Sequence, residues 1–324
     1  MARNIISVLP DKSTIENILR GILGNRVSME FDVDTTNIIS PSTYTTKLKL
    51  GDQNAWIKFS LATSPNEGAI YQRHFSNYST VSLAKVLINI KANDYVNMLV
   101  LEDLNGYSLR EHPEGISYLS DASQVLAMIQ HQLNREYNQL AIQENINNIR
   151  DYLYFGLNPK AIHKLKEALD MVQDVPFIFL HGDSIPNNWI KSNDEKRGVI
   201  PIDFQEVKFG FCLQDLYQLV HPSYWGTAEK AGILIKEAIC NYSQVMQRLG
   251  YKTPWLNNEY KYFNAISVIH AASMMNWYYE QAKKDYLVSK TEPNNIHPIF
   301  KSNPTDILAQ KNEYVIKSEF PRIL

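Results

Sequence analysis

Asp183, Asn188 and Asp203 are the residues of this chain whose types and spacing best suit chemistry. Asp183 stands in His181-Gly182-Asp183-Ser184-Ile185-Pro186-Asn187-Asn188, and Asp203 closes Val199-Ile200-Pro201-Ile202-Asp203. Between the motifs, Lys191 to Gly198 is almost wholly polar and contains Asn193-Asp194. Phe177 to Leu180 is an apolar run entering the first motif and Val199 to Ile202 a second one, which predicts a hairpin that brings Asp203 close to Asn188. Magnesium keeps several waters and takes only one or two protein oxygens together with substrate phosphates. Asn188 and Asp203 suit that ion, which leaves Asp183 to accept or orient the proton of an attacking hydroxyl. The trio therefore suits phosphoryl transfer from a nucleoside triphosphate with Mg2+ to an attacking hydroxyl.

The step of five residues from Asp183 to Asn188 matches that between the catalytic Asp and the metal-binding Asn of protein kinases, with Asp203 in the place of the second metal ligand. His-Gly-Asp, the following Asn and the strand ending in Ile202-Asp203 together resemble the aminoglycoside phosphotransferase and choline kinase-like group of small-molecule kinases. Ile202-Asp203-Phe204-Gln205, the doubled Asn187-Asn188 and Leu99-Val100-Leu101-Glu102-Asp103-Leu104 resemble most its ecdysteroid kinase-like branch. Residues 40 to 220 carry the likeness. One departure is Ser184-Ile185-Pro186, where that branch commonly has Leu-Trp and a further residue.

The resemblance implies an α+β, protein kinase-like two-lobe fold, with a small, mainly antiparallel β lobe that includes a helix and a larger, mainly α-helical lobe. Residues 1–104 would form the nucleotide-binding lobe and hinge, and 105–324 the catalytic and acceptor-binding lobe. The family's phosphate-binding strand lysine and its helix partner fall on Lys58 and Glu67. Lys58 also sits among apolar residues in Ala55-Trp56-Ile57-Lys58-Phe59, where a lone ammonium would be costly without a partner. No Gly-x-Gly-x-x-Gly occurs, so the phosphate-covering loop falls on Ile39-Ser40-Pro41-Ser42-Thr43, with Ser42 as its contact. Glu102 and Leu104 fall at the hinge, beside the adenine edge. Asp215, in Gly210-Phe211-Cys212-Leu213-Gln214-Asp215-Leu216, is expected to cap and brace the catalytic loop. Acceptor binding falls on the C-terminal aromatics, Trp277 and Tyr278 above all.

Two rivals share these motifs. Gly182-Asp183-Ser184 also occurs in serine esterases, but a serine nucleophile needs a base, and the chain has neither a Gly-x-Ser-x-Gly elbow nor a C-terminal Asp-x-x-His. A pseudokinase that binds nucleotide and transfers nothing is the alternative to an enzyme. A protein kinase is disfavoured, since no Ala-Pro-Glu follows Asp203.

The elements that must hold these residues are legible as well. Ser13-Thr14-Ile15-Glu16 reads as a capping box opening a helix that ends at Gly24. Gly51-Asp52-Gln53-Asn54 turns one strand into the strand of Lys58, a helix is expected over Glu67 to Tyr78, and Val86–Ile90 and Met98–Leu101 read as strands. Leu119 to Met171 is helical in pattern, and a short helix is expected around Thr305 to Tyr314. With 324 residues and a net charge of -2, the composition favours two lobes and gives no sign of a nucleic-acid surface. No stretch is apolar enough to span a bilayer and no secretory signal is visible, so no membrane partner is expected and the cytoplasm is the expected compartment. Cys212 and Cys240 lack metal-ligand spacing and are expected to be reduced core residues.

Overall fold

The computed structural model describes residues 5–24, 29–30, 43–75, 81–135, 149–226, 228–289 and 304–321. These form two compact units. One takes the described residues from 5 to 105 apart from 81–82, together with 284–289, and the other takes the remainder.

In the first unit, helices α1 (Ile5–Val8) and α2 (Lys12–Leu23) precede strands β1 (Met29–Glu30), β2 (Thr43–Leu50) and β3 (Gln53–Leu61). Helix α3 (Glu67–Ile70) runs into a wider turn at Tyr71–Phe75, and β4 (Val86–Asn93) and β5 (Val96–Glu102) follow. The five strands make one antiparallel sheet in the order β1-β2-β3-β5-β4. The two-residue alternation of β3 sends Ala55, Ile57 and Phe59 to one face, where they pack with Met98, Val100 and Ile88 beneath Ile15 and Leu19 of α2. The opposite face carries Lys58, Leu99 and Asn89, which lie opposite one another across β3, β5 and β4. The cap of α2 differs from the expected box. Asp11, one residue before the helix, accepts from the Thr14 amide at 2.7 Å and the Ser13 hydroxyl at 2.8 Å, because a carboxylate suits the electropositive helix start better than a hydroxyl does. The expected helix over Glu67 to Tyr78 is regular only as far as Ile70, and its end lies outside the described residues.

The second unit continues with β6 (Gly106–Ser108), α4 (Leu119–Asn134), α5 (149–154), α6 (Pro159–Met171), β7 (Phe177–Leu180), β8 (Trp189–Ser192), β9 (Val199–Pro201) and β10 (Lys208–Phe211). It ends with α7 (Leu213–Val220), α8 (Pro222–Trp225), α9 (Glu229–Arg248), α10 (Glu259–Ser289) and α11 (Pro304–Lys317). Leu126 and Leu133 of α4, Ile235 and Tyr242 of α9, and Phe263 and Ile266 of α10 share its core. Burying each such aliphatic side chain stabilises the fold by roughly 1.5–3 kcal/mol. The strands correct the expected hairpin. The strand entering the His-Gly-Asp motif, β7, pairs with β10, while β9 pairs with β8. The polar turn at 193–198 is therefore shorter than the sequence alone suggested, and the His-Gly-Asp motif runs between two small sheets. Cys212 is buried as expected, whereas Cys240 is exposed, and both are free thiols. Among the described residues no helix is long and apolar enough to cross a membrane.

Candidate active site

β7 delivers His181, and the chain turns at Gly182 with φ 89°. A side chain at Gly182 would collide with the Glu206 carbonyl, so the turn needs glycine for both its conformation and its clearance. The two amides at this turn both donate to the buried carboxylate of Asp215, His181 at 2.8 Å and Gly182 at 2.9 Å. Gln130 of α4 donates to the same carboxylate at 3.0 Å, and the Tyr242 hydroxyl in turn donates to the Gln130 side-chain oxygen at 2.6 Å. Asp215 thus spends both of its oxygens on protein donors, and it braces the loop as the sequence suggested.

The His181 ring is fully buried between Trp189 and Phe204. Its Nε2 lies 3.0 Å from the Ile202 carbonyl, while its Nδ1 accepts from the Asp183 amide at 3.4 Å. Both contacts fit the single tautomer with its proton on Nε2. His181 therefore ties the loop of Asp183 to the segment of Asp203.

Asn188 closes the loop from its other end. Its Nδ2 donates to the Asp183 carbonyl and to Asp183 Oδ2, both at 2.8 Å, which leaves Oδ1 as the acceptor of the amide. The Ile202 amide donates to the Asn188 carbonyl at 2.9 Å, extending the β8–β9 pairing by one bond and setting Asp203 beside Asn188. Asp203 adopts the left-handed conformation, φ 65° and ψ 61°. Outside glycine that region is sparsely populated, Asp and Asn being the residues that tolerate it best. Burial, and then the charge of Asp203, hold the Asp183 carboxyl above the usual carboxylate range, against the pull of His181, the Asn188 amide and Lys208. The structure therefore brings together Asp183, Asn188 and Asp203.

Asn188 Oδ1 and the Asp203 carboxylate are hard oxygen donors of the kind Mg2+ takes when phosphate and water complete its shell. Among the described residues no group of three or more His, Cys, Asp and Glu side chains is placed to hold a metal by protein ligands alone. Ser184 is not an exposed nucleophile. It is fully buried, its hydroxyl accepts from the Trp189 indole at 3.2 Å, and its amide donates to Gln218 at 3.0 Å.

In the other unit, Lys58 Nζ meets Glu67 Oε2 at 2.8 Å, with the side chains 14% and 5% exposed. Glu102 binds Lys85 twice, its carboxylate accepting from the Lys85 amide at 2.7 Å and its own amide donating to the Lys85 carbonyl at 3.0 Å. Leu104 is buried. Ser42 lies outside the described residues.

The adjacent aromatics of α10 diverge. Trp277 is 38% exposed, while Tyr278 packs beside Met275, Ala282 and Ile307, with the two rings edge to face at 5.3 Å. Sequence reasoning passed over Tyr224 of α8. Its phenol is held above its ordinary pKa by burial first and by the charge of Asp183 next, with Tyr278 adding to the rise and Arg110 opposing it. The Arg110 guanidinium lies 5.8 Å over the Tyr224 ring and donates to the Tyr224 carbonyl. Nothing but an aromatic in a Pro-led turn marks Tyr224 in the sequence, because only the placing of α8 after α7 carries it toward Asp183.

No family model matches the sequence, and no curated protein does. Solved structures do match. An amicoumacin kinase in complex with AMP-PNP, Ca2+ and Ami is 11% identical, with 98% of this chain and 97% of that one covered at a TM-score of 0.58. A protein from Ralstonia eutropha JMP134, provisionally named an aminoglycoside phosphotransferase, is 15% identical, with 95% and 99% covered at 0.57. A microcompartment-associated aminopropanol kinase is 12% identical, with 93% and 94% covered at 0.53. The chain thus has the kinase-like two-lobe α+β fold that these phosphotransferases share.

Proposed function

We propose that the protein is an ATP-dependent phosphotransferase that moves the γ-phosphoryl group to a hydroxyl of a small organic acceptor. The observation that carries this reading is the bond of Asn188 to Asp183 beside Asp203, two carboxylates and one amide converging on a braced loop. The fold shared with small-molecule kinases supports it. In this reading Asp183 takes the proton of the acceptor hydroxyl as its oxygen bonds to the γ-phosphorus. The bond from that phosphorus to the bridging oxygen breaks and ADP leaves. A carboxyl raised above its ordinary pKa is a stronger base than a solvated aspartate, and the Asn188 bond fixes its direction. Asn188 and Asp203 would hold Mg2+, which supplies charge neutralisation for the phosphates. Lys58, kept extended by Glu67, would hold phosphate oxygens, with residues 1–104 as the nucleotide-binding lobe and 105–324 as the catalytic lobe.

The acceptor side of the proposal rests on rings. The partly exposed Trp277, edge to face with Tyr278, and the Tyr224 ring beneath Arg110 favour an alcohol with a flat or apolar face. The likeness to the ecdysteroid kinase-like branch points the same way, and the cytoplasm, with its ATP, is the compartment this reading implies. The test incubates purified protein, Mg2+-ATP and a panel of alcohols and reads phosphorylated product by mass spectrometry. Asp183→Asn should lower turnover by at least about 10² while ATP affinity stays within a few fold. Turnover near that of wild type would remove Asp183 from the role of base.

A further inference from the structure

The Lys58–Glu67 pair needs α3 to lie at one height above the sheet, and the sequence of α3 contains a device for this. Gly68 follows Glu67 and is buried. Its backbone has no left-handed φ, so its conformation does not require glycine, and in a helix alanine would be the better former. Space requires it. A β-carbon on Gly68 would run into the three outer atoms of the Asn89 side chain, Cγ, Oδ1 and Nδ2. Asn89 stands on β4, across β5 from Lys58, with Leu99 paired to both. One turn further along, Asn89 Nδ2 donates to Gln72 Oε1 at 3.3 Å. The Asn89 amide therefore sits against α3 between Gly68 and Gln72, while Glu67 reaches from the same turn to β3.

We propose that Gly68 is a positioning residue that lets α3 seat against Asn89 closely enough for Glu67 to hold Lys58, with Asn89 as the wall that sets the distance. This rests on the reading of Lys58 as the phosphate-holding lysine. A side chain at position 68 displaces the Asn89 amide from its bond to Gln72 or lifts the helix from β4, and the lift withdraws Glu67 from the ammonium.

The experiment is a cycle of four proteins: wild type, Gly68→Ala, Asn89→Ala and the double variant. Steady-state kinetics with Mg2+-ATP and melting temperature are measured on each. A misplacement of about 1 Å can cost roughly 10²-fold, so Gly68→Ala should lower kcat/KM for ATP by about 10- to 100-fold. The double variant should return to the level of Asn89→Ala, because truncation at position 89 removes all three colliding atoms. In a Glu67→Gln background Gly68→Ala should have no further effect on ATP affinity, which a merely structural role would not produce. Wild-type kinetics for Gly68→Ala, or a double variant as impaired as Gly68→Ala, would overturn the inference. If Gly68→Ala does not fold, Asn89→Gln advances the same wall from the strand side, and kcat/KM at the wild-type level there would overturn it equally. A wild-type protein that neither binds nor turns over ATP defeats the kinase reading instead. Melting temperatures across the cycle then decide the contact alone, and additive shifts would end the proposal.

Discussion

Replacing Asp215 by alanine should unfasten the loop of Asp183 without changing Asp183, Asn188 or Asp203 themselves. The carboxylate is 1% exposed and accepts from the His181 amide, the Gly182 amide and the Gln130 side chain at 2.8, 2.9 and 3.0 Å. Alanine leaves three donors without their partner, and each buried donor so stranded costs about 1–3 kcal/mol. Partial relaxation of the loop toward solvent recovers some of this, so the expected loss is about 3–5 kcal/mol, at the high end for a single substitution. Asparagine does not repair it, since its amide nitrogen would face one of the two backbone donors. The assay is native-state hydrogen exchange of the His181 and Gly182 amides. At roughly 1.4 kcal/mol per tenfold, their exchange should quicken by about 10²- to 4 × 10³-fold in Asp215→Ala, while amides of β3 and β5 exchange as before. Exchange at 181 and 182 within a few fold of wild type would refute the bracing argument. So would loss of Mg2+-dependent nucleotide binding with protection retained, since that would make Asp215 a ligand.

Three further outcomes are expected. Asp203→Asn should fold like wild type, since asparagine accepts the left-handed backbone, yet lose Mg2+-dependent nucleotide binding by calorimetry, whereas Asp203→Ala should lose stability as well. His270, its ring centroid 5.2 Å from that of Tyr217 and tilted by 49° to it, is pushed down to about 4 by burial first and then by Lys208 and His221. Its unfolded form binds a proton at higher pH than its native form does, so it contributes stability that is present above about pH 6.5 and is lost as pH falls toward 4. Denaturant unfolding at about pH 7 and about pH 5 should show a loss of about 2 kcal/mol from this group, and His270→Gln should remove that part of the slope. Tyr278→Ala should raise the KM of the acceptor and leave that of ATP almost unchanged. An equal rise in both would exclude Tyr278 from the acceptor side.

Much of the site was legible in the one-dimensional pattern, because its parts are local. Asp183 and Asn188 are joined within one loop, Asp203 needs only the return of a short hairpin, and Lys58 advertises itself as a charge in an apolar strand that must find a partner. The alternation along β3 and the Gly51-Asp52 turn likewise reported the sheet of the first unit. What the chain could not reveal by itself were the partners distant in sequence. Pairing of β7 with β10 instead of β9, the commitment of Gln130 and Tyr242 to Asp215, and the approach of Tyr224 to Asp183 all join segments well separated along the chain, by 112 residues for Tyr242 and Gln130. No periodicity encodes such meetings, since they follow from how helices and strands stack once the core closes. Gly68 shows the same division in one residue. Its sequence context is that of any small helical position, and only the tertiary structure sets the Asn89 amide where a β-carbon would otherwise stand.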